Sequence, residues 1–201
     1  MVDFTEGAPM ILPVLCYGHP ALRQKGVRLD SLSPENLAFI QDLLDTMKDA
    51  RGVGLASQQV GRALQLAVVD VRGVTDRPST LSLRGETVDV DAFMPLVLVN
   101  PEIKPIADPV EGPEGCLSFP EIYAPIGRPD SIEVKTTNEL GRVLEFRCSG
   151  LLARAIQHEH DHLQGILFID RMTRKAKLQV QDEIDLLQAK TKTELKKKSS
   201  F

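Results

Sequence analysis

The chain of 201 residues has little cysteine, little histidine and no excess of positive charge. Its three cysteines, Cys16, Cys116 and Cys148, are odd in number and far apart. That pattern argues against a disulfide framework and fits a reducing, cytoplasmic setting. A formal net charge of −4 gives no sign of a nucleic-acid-binding surface across the whole molecule, so no sequence-specific nucleic-acid partner is expected. No apolar run approaches the roughly 20 residues that span a bilayer, and no membrane partner is expected either. The opening stretch MVDFTEGAPMILPVLCYG puts acidic residues ahead of a short apolar segment, the reverse of a signal peptide's basic start. Internal repeats and composition breaks are also missing. The whole of 1–201 therefore reads as one domain, long enough for a sizeable core.

What is present has an ordered pattern. Ser33-Pro34-Glu35 opens a helix, with Ser as cap and Pro in the first turn, and Leu37, Ile40, Leu44 and Met47 follow at helical spacing until Gly52. The glycine-containing loop GVGLASQQVG leads into LQLAVVDV (64–71), which reads as a buried strand. The polar stretch from Arg72 to about Asp91 reads as an exposed loop or loose hairpin, an insertion near 74–92. Strands are expected at 96–100, 131–137 and 142–148, the last two joined by the turn signal Asn138-Glu139-Leu140-Gly141. A helix should run from about Gly150 to Gln164 and stop at Gly165, and a basic helical tail should occupy 173–201. The expected class is α+β, with antiparallel or mixed sheets around a central helix and a further helix at the C-terminus.

The segment QHEHDHLQG (157–165) holds three of the four histidines. At about 100° per residue, His158 and His162 lie one above the other on one helical face and can reach one ion. Glu159 stands beside them, placed to take a proton from an activated water. His160 is turned about 200° from His158 and shares a side with Ala153, Gln157 and Gln164, which reads as the solvent face. The plain alternative is a histidine-rich surface helix holding nothing, and a third ligand decides between the two. An extended His-x-x-x-His-x-x-Gly-x-x-His pattern would supply one, but its last position is Phe168. His19, Glu183, Glu194 and the cysteines remain as candidates. Cys16 and Cys148 sit in apolar or strand contexts, where a small buried thiol is the default. Cys116 lies in EGPEGCLSFP, read as a loop, where a thiolate would complete a Cys-His-His set with a fourth position open. From that donor set alone, zinc would be the first guess.

Three motifs in this order, GVGLASQQV (52–60), EGCLS (114–118) and QHEHDHLQG (157–165), resemble the signatures of the peptide deformylases. GHPALR (18–23) resembles that family's N-terminal loop, and the likeness covers most of 18–170. The resemblance implies a metal held by Cys116, His158 and His162, usually Fe²⁺, with Zn²⁺, Ni²⁺ or Co²⁺ as substitutes. It implies removal of the N-formyl group from formylmethionine on new polypeptides, a water activated by the metal attacking the formyl carbon with Glu159 as general base and acid. The amide of Gln59 and the backbone N–H of Leu117 would then stabilise the oxyanion. Gly54 is expected to let the peptide backbone approach, and Val53, Leu151 and Ala155 are candidates for the methionine pocket, with core packing as the plain alternative.

The chain departs from the family at Ser57, where a second alanine is commoner, and in the length of 74–92. Tyr123 resembles one branch of the family. The tail concentrates Lys190, Lys192, Lys196, Lys197 and Lys198, either as a solvated helix end or as a weak contact to ribosomal RNA near emerging chains. Two other readings stay open: a zinc peptidase cutting internal bonds, and a relative that binds metal or peptide without turnover.

Overall fold

The computed structural model describes residues 10–198. Residues 1–9 with most of the acidic opening, the Lys198 side chain and residues 199–201 lie outside the described part.

Helix α1 (Pro34–Asp49) starts where the Ser33 hydroxyl accepts a bond from Asn36 N at 3.2 Å. It buries Phe39, Ile40, Leu43 and Met47, so its apolar stripe is rotated slightly from the expected one and Leu37 and Leu44 are only half-buried. Nine strands follow among the described residues: β1 (Gly54–Ala56), β2 (Leu66–Val69), β3 (Ser79–Leu83), β4 (Glu86–Val88), β5 (Leu96–Pro105), β6 (Pro109–Cys116), β7 (Phe119–Pro129), β8 (Ser131–Thr137) and β9 (Val143–Ser149). Helix α2 (Gly150–Leu163) comes next, then α3 (Arg174–Gln179) and α4 (Gln181–Lys198). The expected single C-terminal helix is thus broken at Val180.

Seven strands form one antiparallel sheet in the order β1-β2-β5-β8-β9-β3-β4. Helix α1 packs on β1 and β2 through Ile40, Leu43, Leu55, Leu66 and Val68, while α2 packs on the other face through Leu152 and Ile156 against Ala67 and Leu98. Apolar cover on both faces explains why β2 is a continuous run of buried residues rather than an alternating one. β8 does alternate: Ile132, Val134 and Thr136 point inward, with Glu133 and Lys135 outward.

The polar insertion is a hairpin, β3–β4, turning at Arg84-Gly85 with both residues at positive φ. It is more than a surface loop. β3 pairs with β9, Leu81 enters the core, and the segment tethers the start of α2: Ser79 Oγ accepts from Leu152 N at 3.0 Å and Pro78 O from Leu151 N at 3.4 Å.

The stretch expected to be a loop around Cys116 is instead the end of β6, paired with β7 in a second, two-stranded sheet. Prolines concealed it. Pro109 faces Pro129 and Pro113 faces Pro125 across the ladder, and a sheet of two strands has only edges, where a missing N–H is tolerated. This hairpin packs its Phe119, Ile122, Ala124 and Ile126 against Leu22, Phe168 and Ile184. Helix α2 is therefore enclosed between the large sheet and the hairpin.

Candidate metal centre

Helix α2 ends where the sequence said it should: its last residue is Leu163, and Gly165 takes a left-handed φ of 73°. His158 and His162 share a face, with ring centroids 5.0 Å apart. The hairpin brings Cys116 to them. Ligand atoms of Cys116, His158 and His162 all lie within 4.8 Å of one another, and Cys116 Sγ is 3.3 Å from His162 Nε2. No other such group of three occurs among the described residues. His19, Glu183 and Glu194 stand outside it; His19 Nδ1 accepts from Ala21 N at 3.2 Å and caps its own short 3-10 turn.

The side of α2 read as solvent-facing is largely covered. Ala153 and Gln157 are buried and His160 is half-buried, because the helix is wrapped on both sides rather than lying on a surface. His160 is still outside the ligand group.

The donors suit a divalent ion. A cysteine sulfur and two imidazoles converge, the histidines buried and Cys116 half-buried, and two buried atoms there, Glu159 Oε2 and His162 Nδ1, have no hydrogen-bond partner. Orphaned polar atoms of this kind imply a missing partner such as water or an ion. Burial, followed by the fields of His158 and Arg128, pushes His162 well below its ordinary pKa, so it carries the neutral ring that metals bind. Burial also works against charge on His158, but its bonds to Cys116 and Glu114 outweigh that and raise its pKa well above the ordinary value, so an ion at this ring must displace a proton. Cys148 differs: burial alone pushes its thiol up to about 12, an inert core group.

Glu159 is 3% exposed, and burial raises its carboxyl to about 7, His158 and Arg128 pulling the other way. Its carboxylate lies against β1 at Gly54, where any Cβ would collide with it. The missing Cβ at Gly54 thus makes room for Glu159. Gly52 plays a similar part, since a Cβ there would come 2.8 Å from the Leu117 side chain. The first motif therefore seats residues of the other two.

Gln59 is 1% exposed in a short 3-10 turn after β1. Its Oε1 accepts from Ala56 N at 2.9 Å, which turns the amide NH₂ toward Ser118 Oγ at 3.3 Å and Cys116 Sγ at 3.5 Å. Gln58 is buried elsewhere, near Leu64. Leu117 follows Cys116 directly, at the turn between β6 and β7. Leu151 and Ala155 are nearly buried and Val53 is half-buried, all within the apolar cluster of α2 and the large sheet.

Sequence reasoning missed the residues that support this site. Glu114 accepts from the His158 ring at Nδ1, 3.1 Å away, which leaves Nε2 for a ligand. Arg128 clasps Glu114 through two bonds of 2.7 and 3.0 Å and reaches Asp161 at 2.8 Å, all three side chains at most 7% exposed. Burial opposes charge on Glu114, yet the bonds from His158 and Arg128 hold it at about 2. A signal for Arg128 did exist: Ile122, Ala124, Ile126 and Arg128 are in phase at every second position of one strand, so the arginine had to point inward and be paired.

The polypeptide deformylase family model matches residues 11–178. A peptide deformylase of Opitutus terrae is 42% identical over 180 residues, 89% of this chain and 93% of the relative. One from Methylacidiphilum infernorum is 43% identical over 176 residues, covering 88% and 92%. Among solved structures, a plant peptide deformylase superposes with a TM-score of 0.78 at 34% identity, covering 96% of each chain. A Synechococcus elongatus peptide deformylase bound to actinonin gives 0.71 at 35%, covering 95% of this chain and 91% of that one.

Proposed function

The chain belongs to the polypeptide deformylase family, and on that premise we propose how its own residues remove a formyl group from the N-terminal methionine of a new polypeptide. The observation that carries the reading is the convergence of Cys116, His158 and His162 beside a buried, partnerless Glu159 oxygen. Cys116, His158 and His162 would hold a divalent ion, which would supply Lewis acidity and lower the pKa of a water. Glu159 takes the proton of the attacking water and later gives it to the departing amine, a task suited to a carboxyl near 7. The Gln59 amide and the Leu117 N–H donate to the oxygen as it gains charge; the Gln59 amide is aimed in advance by its bond from Ala56 N. Val53, Leu151 and Ala155 form the apolar wall for the methionine side chain, with Gly54 at the peptide's edge.

We infer Fe²⁺ as the working ion, on the family resemblance, with Zn²⁺, Ni²⁺ or Co²⁺ as substitutes. A thiolate ligand makes the ferrous form sensitive to oxygen, so activity should fall in air. Formylated nascent chains place the work where translation occurs, in the cytoplasm. No helix among the described residues is long and apolar enough to cross a membrane. Exposed Lys190, Lys192 and Lys197 on α4 offer a weak contact to ribosomal RNA. Replacing these three by Gln tests that contact better than deletion does, since Thr191 between them is buried. Unchanged salt-dependent binding to ribosomes would dispose of it.

The deciding experiment measures formate release from formyl-Met-Ala-Ser by anaerobic protein loaded with Fe²⁺ or Ni²⁺, beside Glu159→Ala. Turnover by the parent, with near-total loss in a variant that still binds one metal, is the expected result. A parent that binds metal and peptide without turnover would overturn it.

A further inference from the structure

Two separately supported elements carry the ligand triangle. Cys116 ends strand β6 of the two-stranded hairpin, while both histidines stand on α2. No ladder joins this hairpin to the seven-stranded sheet. Its apolar face packs on Leu22, Phe168 and Ile184, and none of the residues in that cluster comes from α2; the α2 cluster in turn contains none from β6 or β7. Polar bonds therefore span the joint. A two-stranded hairpin has little rigidity of its own, so those bonds set where Cys116 stands.

One residue makes more of them than any other. Arg154, one turn before His158, donates from Nη1 to Ile126 O and to Glu114 Oε1, each at 2.8 Å, and from Nη2 to Val110 O at 2.8 Å. It so grips both strands of the hairpin and the carboxylate that orients His158. The guanidinium fits because position 112 is glycine: a Cβ there would come within 2.9 Å of Nη2. Gly112 lies outside the left-handed φ region, so its backbone does not call for glycine and a side chain there would instead displace the guanidinium. Arg and Gly are matched across the joint.

We propose that Arg154, seated against Gly112, is a positioning residue that holds the Cys116 hairpin in register with the histidine helix and thereby sets how firmly the triangle retains its metal. This rests on the metal centre described above. The test loads full-length protein with Ni²⁺ and follows transfer of the ion to excess EDTA, with the melting temperature of each metal-free form measured alongside. Arg154→Leu keeps bulk and removes the bonds; Gly112→Ala displaces the guanidinium; Arg154→Lys restores one donor group. Ile40→Ala, on α1 in the separate cluster over the other face of the large sheet, controls for simple destabilisation. Both Arg154→Leu and Gly112→Ala should release Ni²⁺ on the order of tenfold faster than the parent, the scale typical of residues that orient ligands. Arg154→Lys should fall between, and the double variant should be no faster than Arg154→Leu. Parent-like release in Gly112→Ala and Arg154→Lys would overturn the proposal, as would equally fast release from Ile40→Ala at a matched melting temperature. If Arg154→Leu does not fold, the other two variants decide. A parent that retains no Ni²⁺ would instead refute the metal centre itself, and this inference with it.

Discussion

Glu159 owes its chemistry to where it is held. A carboxyl of ordinary pKa 4.5 is moved by burial to about 7. In the role proposed for it Glu159 acts as a base when ionised, so formate release should rise with pH along an acid limb that ends at or below about 7, a bound cation drawing it lower. A flat pH–rate profile between 5 and 8 would contradict that role. In stability terms, folding favours the protonated form. The associated stabilisation is complete below 4.5 and is lost as pH rises through 7. Glu159→Gln cannot ionise and keeps it. Metal-free Glu159→Gln should therefore outlast the parent in denaturant by more at pH 8 than at pH 5, a gap of at most about 3 kcal/mol at 1.36 kcal/mol per pKa unit. Equal differences at the two pH values would remove burial as the cause. Gly54→Ala should act on the same carboxylate by collision, lowering formate release while metal content measured by mass spectrometry stays at the parent's value.

Helix α2 depends on an element that the sequence presented only as a polar insertion. The first turn of α2 takes its capping bond from Ser79 Oγ, because its own N-cap residue Ser149 makes none. Ser79→Ala should cost about 1 kcal/mol, the usual worth of a side-chain cap, read from denaturant midpoints. No change would mean that Pro78 O and the β3–β9 ladder suffice. The hairpin β6–β7 teaches the same lesson from the other side. Its four prolines and three glycines in the ladder spell loop when read in order along the chain. They spell strand once each proline is seen at an edge.

For the molecule as a whole, the ligand set joins two apolar clusters that are otherwise linked across this joint by polar bonds. An ion bound there should stabilise the fold as well as supply chemistry. At a free metal concentration about a thousandfold above Kd, binding adds roughly 4 kcal/mol. Chelation should accordingly lower the melting temperature, and re-addition of Ni²⁺ should restore it. A melting temperature indifferent to removal of a metal that the protein carried would show the two halves to be registered without it.

The sequence determined the parts whose cause is local. Helix α1 with its Ser33 cap, the i, i+4 pair His158 and His162, the stop at Gly165 and the alternating strand β8 all follow from periods and turn chemistry within one short segment. Membership of the family was legible because three motifs occur in order. Tertiary structure decided what depends on distant residues meeting. Glu114, Arg128 and Asp161 form one buried network although Glu114 and Asp161 stand 14 and 33 positions from Arg128 in the sequence. The covered flank of α2 likewise required the hairpin to fold over it. The sequence offers Gly54 for the approach of a peptide and Gly112 only as a loop glycine; packing puts a carboxylate and a guanidinium in the space where each Cβ would be. Periodicity reports what a residue turns toward the chain's own core, and only packing reports which side chain comes from elsewhere to fill the gap.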